Sequence, residues 1–161
     1  MIVLVMGTTG AGKTTVGKLL ADKLGWEFLD ADDFHPAANI AKMKQGIPLD
    51  DADRAPWLAA MHDELVRQNT SAKSCVLACS ALKNSYRKTI GNALPMKIVY
   101  LKGTYEEMRG HILARQGHFA GEGILAGQFA DLQEPRDAMV VSVSHPPEEI
   151  VADVLRELKL A

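Results

Sequence analysis

The stretch Gly7-Thr8-Thr9-Gly10-Ala11-Gly12-Lys13-Thr14 decides the fold of this chain. It matches the pattern G-x-x-x-x-G-K-[ST], and it lies between an apolar run, residues 2–6, and an amphipathic stretch, residues 13–24. A strand, a glycine-rich turn and a helix in this order point backbone N–H groups at a phosphate near the positive end of the helix. The sequence therefore predicts that these eight residues and Thr15, the phosphate-binding loop, hold a nucleoside triphosphate.

Two side chains of the loop carry specific chemistry. The ammonium of Lys13 suits the β- and γ-phosphates, and the hydroxyl of Thr14 is a ligand that Mg²⁺ accepts. Kinases, ATPases and GTPases all use this pattern, so the loop alone leaves these classes open.

The rest of the chain alternates short apolar runs with amphipathic stretches. Strands are predicted at residues 2–6, 26–29, 75–79, 97–101 and 139–143, and helices at residues 13–24, 55–68, 85–92, 105–114 and 147–158. Such alternation is typical of parallel strands joined by crossover helices. We predict one α/β domain, residues 1–161, with a five-stranded parallel sheet and helices on both of its faces.

Composition narrows the class of protein. The 161 residues are 47% hydrophobic and 24% charged, which suits one soluble domain. A net charge of −2 gives no general attraction to nucleic acid or to an anionic membrane. The apolar run 2–6 is too short for a signal-peptide core or a membrane span. We expect a cytoplasmic enzyme or binding module with neither nucleic acid nor membrane as a partner, and reduced core thiols at Cys75 and Cys79.

An acidic segment follows the second predicted strand, at the edge of the sheet where open α/β folds bind ligands. In an extended chain, Asp30 and Asp32 lie on the same side, where one carboxylate could bind Mg²⁺, directly or through water, and the other could orient an acceptor hydroxyl. A solvated acidic loop is the alternative. We assign residues 30–58, which begin with this segment, to an insertion that binds the substrate.

Three cations beyond the loop are candidates for substrate binding. Arg54 has a planar fork that suits a carboxylate, although it could instead pair with Asp50, Asp51 or Asp53. Lys83 and Arg87 are four residues apart, so on a helix they could reach one anion together, or they could be solvated charges.

Residues 115–128 contain four glycines, at positions 117, 121, 123 and 127, and are interpreted as a mobile lid, with an ordinary surface loop as the alternative. Arg115 at its start would meet the transferring phosphoryl group on closure. His35 and His118 are candidate hydrogen-bond donors to a polyol. The five histidines show no zinc-ligand spacing.

These residues together resemble the gluconate kinase (gluconokinase) family of P-loop small-molecule kinases, which is related to shikimate and nucleoside monophosphate kinases. The resemblance runs nearly end to end. Its most specific blocks are D-D-x-H-P, residues 32–36, and P-L-x-D-x-D-R-x-P-W-L, residues 48–58. Departures occur at residues 125–128, Leu-Ala-Gly-Gln, and at residues 133–135, Gln-Glu-Pro.

The resemblance implies ATP-dependent phosphorylation of D-gluconate to 6-phosphogluconate by a homodimer. It implies that Asp30 lies near the metal and Asp32 near the acceptor hydroxyl. We expect the gluconate carboxylate to dock against Arg54, helped by Lys83 or Arg87. The alternatives are a shikimate kinase-like or nucleoside monophosphate kinase-like enzyme and, beyond these, a regulatory P-loop ATPase.

Overall fold

A computed structural model describes residues 1–116 and 122–160 of the chain. Five strands form one sheet in the order β2-β3-β1-β4-β5, and all four pairings are parallel. The strands are β1 (Ile2–Met6), β2 (Glu27–Asp30), β3 (Cys75–Ala78), β4 (Met96–Lys102) and β5 (Met139–Ser142). The predicted five-stranded parallel sheet is confirmed.

Seven helices belong to the described residues: α1 (Lys13–Leu24), α2 (Ala37–Lys44), α3 (Asp51–Thr70), α4 (Asn84–Ile90), α5 (Tyr105–Gln116), α6 (Glu122–Asp131) and α7 (Pro147–Glu157). A 3₁₀ turn, Ala31–Phe34, follows β2. Helix α1 has the predicted bounds, since Gly25 ends it in the left-handed region at φ 68°.

The two segments without predicted helices contain the largest differences from expectation. Helix α2 lies inside the Asp-, Pro- and Gly-rich insertion, and α3 begins at Asp51, because the Asp50 and Asp53 side chains form a reciprocal capping box there. Helix α6 begins at Glu122 and includes the last two of the four glycines, at positions 123 and 127. Its Leu125 is fully buried, and Phe129 meets the Tyr105 ring edge-on at 5.8 Å, so packing outweighs the low helix propensity of glycine.

The central strand β1 separates two hydrophobic layers. Val3 and Val5 face a layer that includes residues of α1, α5, α6 and α7. Ile2, Leu4 and Met6 face the other layer, which includes residues of α3 and α4. Helices therefore cover both faces of the sheet, as predicted.

This topology places the phosphate-binding loop at the crevice of the sheet. Strand β1 has β3 on one side and β4 on the other, and the loop leaves its carboxyl end between them. Open α/β sheets bind ligands at this switch point. Throughout residues 1–116 and 122–160, no helix combines the length and apolar character needed to cross a membrane.

Candidate active site

The phosphate-binding loop has a backbone that glycine makes possible. Gly10 and Gly12 lie in the left-handed region, at φ 86° and 89°. A Cβ at Gly10 would come within 2.7 Å of the Met108 carbonyl oxygen, whereas at Gly12 no described atom beyond the adjacent residues lies within 4 Å of that position. The space in front of Gly12 is open, and α1 begins immediately after it, so its first-turn N–H groups can meet an anion.

Lys13 is held at the mouth of the loop. Its Nζ donates to the Thr8 carbonyl oxygen at 3.0 Å. Burial lowers the pKa of Lys13, nearby Asp32 and Asp30 oppose that decrease, and the Arg115 guanidinium adds to it. These four side chains thus lie within electrostatic reach of one another, and the Lys13 ammonium gains stability from any added negative charge.

A cleft of about 1220 Å³ contains most of the predicted site residues. Those that line it are Thr9, Gly10, Gly12, Lys13, Thr14, Thr15, Asp30, Asp32, His35, Arg54, Lys83 and Arg115. Gly7, Thr8 and Ala11 are buried in the loop and lie outside this described lining. His118 falls outside the described residues.

The acidic pair is brought together by a turn instead of an extended chain. Asp30 ends β2, and its Oδ1 accepts a hydrogen bond from the backbone N–H of Asp32 at 3.0 Å, which starts the 3₁₀ turn. Alternation of side chains along a strand, which was our reason to expect Asp30 and Asp32 on the same side, is therefore not what brings them together. Both carboxylates nevertheless line the cleft. The side chain of Asp32 is exposed to the cleft, where it can accept a proton from a bound hydroxyl.

A group of four polar side chains, the Asp51 cluster, lies in the same cleft and consists of Asp51, Arg54, Lys83 and Tyr86. Asp51 Oδ1 accepts from the Tyr86 hydroxyl at 2.5 Å and lies 3.4 Å from Lys83 Nζ and 3.8 Å from Arg54 Nη1. Arg54 Nη1 also donates to Tyr86 Oη at 3.1 Å. The hydrogen bond from Tyr86, followed by that from Lys83, lowers the pKa of Asp51. The cluster already holds one carboxylate next to two cations.

Arg87 points into the protein and stabilises the backbone. The expectation that it binds one anion together with Lys83 is therefore wrong. Its guanidinium is buried and donates to the carbonyl oxygens of Ala81 at 2.6 Å, Leu82 at 3.1 Å and Gln133 at 2.6 Å, and to Asn84 Oδ1. Ala81 has a positive φ of 44°, so these bonds stabilise a strained turn. Arg87 thus supports the backbone that presents Lys83.

Comparisons with known proteins assign the chain to a family. Residues 9–118 match the family model described as shikimate kinase. A probable gluconokinase from Rattus norvegicus is 43% identical, with 98% of this chain and 97% of the relative covered. A gluconokinase from Gluconobacter oxydans is 42% identical, with 97% and 90% covered. The chain belongs to the gluconokinase family.

A solved structure agrees with this assignment. The crystal structure of a gluconokinase from Sinorhizobium meliloti 1021 superposes with a TM-score of 0.88 at 38% identity, covering 98% of this chain and 90% of that one. Fold and sequence thus identify the same family of P-loop kinases.

Within this gluconokinase-family site, three residues were not predicted to contribute. Tyr86 and Asp51 join the cluster around Arg54 through contacts across 32 and 35 residues of sequence. Gln128 of α6 accepts a hydrogen bond from the Thr9 backbone N–H at 2.6 Å, which links α6 to the phosphate-binding loop. The sequence signals were weak: Asp51 was considered only as an alternative partner of Arg54, Gln128 stands in a stretch that departs from the resemblance, and the chemistry of all three residues depends on tertiary contacts.

Proposed function

We propose that this protein transfers the terminal phosphoryl group of ATP to D-gluconate and forms 6-phospho-D-gluconate. The observation that carries the proposal is the composition of one cleft: it joins the phosphate-binding loop and Lys13 to the cations Arg54 and Lys83, with the carboxylate of Asp32 in the same lining. A sugar acid needs such a set, because it brings both an anionic carboxylate and an acceptor hydroxyl. The gluconokinase relatives support the choice of acid.

The loop fits the triphosphate of ATP. Gly12 leaves open space where a side chain would stand, the first turn of α1 offers N–H groups, and Lys13 adds positive charge. Mg²⁺ bound with the nucleotide would supply further positive charge beside the phosphates, held by the Thr14 hydroxyl and, through water, by Asp30. Thr15, next on α1, lines the same end of the cleft.

Gluconate would bind through its carboxylate to Arg54 and Lys83. Both cations already contact Asp51, so the substrate carboxylate competes with an internal one. Asp32 orients the terminal hydroxyl and accepts its proton late, because phosphoryl transfer through a loose transition state needs positioning more than a strong base. His35 would donate a hydrogen bond to another hydroxyl, and His118 is a candidate for the same role.

We propose that residues 115–128 act as a mobile lid. Arg115 lies in the last turn of α5 and lines the cleft, and Gln128 accepts a hydrogen bond from the phosphate-binding loop. One residue near each end of this range therefore lies close to the proposed nucleotide site. Closure would exclude water, which is itself a phosphoryl acceptor, and bring Arg115 against the transferring group.

The family resemblance also supports a cytoplasmic homodimer, and light scattering on the purified protein tests its oligomeric state. The net charge of −2 supports the proposal that neither nucleic acid nor a membrane is a partner.

A coupled assay of ADP release tests the reaction. Purified protein with Mg·ATP is supplied with gluconate, shikimate or a nucleoside monophosphate, and the product is identified by mass spectrometry and phosphorus NMR. We expect ADP release to depend on gluconate and to match the formation of 6-phosphogluconate. Release that depends on shikimate or a nucleotide would favour a related kinase, and release without any acceptor would favour an ATPase.

A further inference from the structure

His35 is held in place by an aromatic ring on the acceptor side of the cleft. Its imidazole stacks on the indole of Trp57, with ring centroids 4.5 Å apart and planes 9° from parallel. The same indole donates from Nε1 to the Ala31 carbonyl oxygen at 2.7 Å. Trp57 therefore fixes the imidazole and the turn that carries Asp32 relative to each other.

Asn39 contacts one of the two ring nitrogens of His35. This asparagine is buried, with 2% of its surface exposed. Its Nδ2 lies 2.9 Å from the Asp53 carbonyl oxygen and 3.2 Å from His35 Nδ1. Because a carbonyl oxygen only accepts, the NH₂ group of the amide must face Asp53, and its second hydrogen is then available to His35.

The hydrogen bond leaves one arrangement of protons. Nδ1 of His35 must accept from Asn39, so the proton lies on Nε2 and the ring is neutral. A proton on Nδ1 would point at the amide hydrogens. The neighbour that contacts Nδ1 is thus a buried side chain of α2, four residues further along the chain.

The charges around His35 favour the same state. Burial lowers the pKa of His35 below the ordinary value for histidine; the Asp32 carboxylate on the adjoining turn opposes this decrease, and Arg54 on α3 adds to it. The Asp53 carboxylate, also on α3, is engaged by Lys42 of α2 at 2.8 Å. The side chain that α2 places against the ring, Asn39, is uncharged.

We propose that Asn39 is a positioning residue that locks His35 as the neutral Nε2–H tautomer, so that the imidazole donates a hydrogen bond to a hydroxyl of the polyol acceptor. The proposal rests on the proposed function for the identity of that acceptor. Asp32 lies on the 3₁₀ turn and His35 directly follows it, and both line the cleft, so an acceptor and a donor are available to two hydroxyls of a polyol.

The variant Asn39→Asp should move the proton of the neutral His35 ring from Nε2 to Nδ1, with almost no change in the shape of side chain 39. A carboxylate at position 39 accepts a hydrogen bond from Nδ1–H and raises the pKa of His35. Above that pKa the neutral ring carries its proton on Nδ1, so Nε2 becomes an acceptor and the hydroxyl loses its donor. The KM for gluconate of this variant should therefore rise with pH through the new pKa, by about three- to tenfold for one lost neutral hydrogen bond.

The first measurement needs no substrate. Long-range ¹H–¹⁵N correlation spectra of the whole protein, with ¹⁵N-labelled histidine, report the state of each ring nitrogen from about pH 5.5 to 8. We expect a protonated Nε2 and an unprotonated Nδ1 at His35 in the natural protein, and a protonated Nδ1 in Asn39→Asp. An unprotonated Nε2 in the natural protein would overturn the proposal that Asn39 holds His35 in the Nε2–H form, even if Asn39→Asp failed to fold.

The second measurement is the pH dependence of gluconate kinetics. The natural protein and the control Asn92→Asp, which adds the same charge at an exposed position outside the described cleft lining, should show a flat KM. His35→Gln, whose amide places a donor near Nε2, should keep a lower KM than His35→Leu. Equal KM profiles for Asn39→Asp and the control would overturn the role of Asn39. If gluconate is not phosphorylated at all, the proposed function fails while the spectra still decide the tautomer.

Discussion

Replacing Arg54 with alanine tests whether the Asp51 cluster recognises the carboxylate of the acceptor. The Arg54 side chain is 26% exposed, and it lies 3.1 Å from Tyr86 Oη and 3.8 Å from Asp51. The variant keeps the Tyr86–Asp51 hydrogen bond, so we expect the fold to survive. A hydrogen bond to a charged group contributes about 1.5 to 3 kcal/mol, and partial exposure together with competition from Asp51 favours the lower part of that range.

A loss of about 1.5 to 2 kcal/mol corresponds to an increase of about 10- to 30-fold in the KM for gluconate. The kcat should change little, because in the proposed binding mode Arg54 contacts the carboxylate of gluconate and not the reacting hydroxyl. The assay compares gluconate with gluconamide, which has the same hydroxyls but no charge. Only the gluconate KM should rise strongly.

Asp51→Asn is a matched variant for which we expect the KM for gluconate to change in the opposite direction. It removes the internal carboxylate that competes for Arg54 and Lys83, so the KM for gluconate should fall by a few-fold. An unchanged gluconate KM in Arg54→Ala, or equal increases for gluconate and gluconamide, would refute the reasoning and leave Arg54 as a partner of Asp51 and Tyr86 alone.

Four other variants or treatments have defined outcomes. Lys13→Met removes preorganised charge at the phosphates and should lower kcat by about 10²- to 10³-fold; near-normal turnover would contradict the assignment of the loop. Asp32→Asn should lower kcat by about 10²-fold while ATP still binds by calorimetry, and a natural kcat would remove Asp32 from its role. Gln128→Ala should speed amide hydrogen exchange at Thr9, whereas Gln128→Glu keeps an acceptor; no difference between them would show that the bond does not protect the loop. Burial raises the pKa of Cys79 to about 12, so at pH 8 its thiol stays protonated and should resist alkylation until the protein is unfolded.

The parts of the fold that local pattern determines were predicted well. Strand β1 and helix α1 have the predicted bounds, because an apolar run, a glycine loop and a helical stripe follow each other without interruption. Helix α2 was missed because it is short and stands among Asp, Pro and Gly, which usually mark loops. Helix α6 was missed for a similar reason, because its glycines indicate a loop. The helix is stabilised instead by the burial of Leu125 against distant residues.

The candidate site was predictable to a similar extent. The loop, Asp30, Asp32 and Arg54 stand in segments whose sequence pattern indicates their chemistry, and the structure places them in one cleft. Arg87 shows the limit of spacing arguments. A separation of four residues places Lys83 and Arg87 near each other, but it does not say which of them points into the protein.

The separate hydrophobic layers on the two faces of the sheet have a consequence for divergence within this fold. The nucleotide loop continues into α1, which packs in one layer, whereas α3 and α4, with Arg54 and Tyr86, pack in the other. Substitutions that reshape the acceptor pocket are thus absorbed mainly by one layer. A lineage can exchange its alcohol substrate while leaving intact the machinery that handles the phosphate donor.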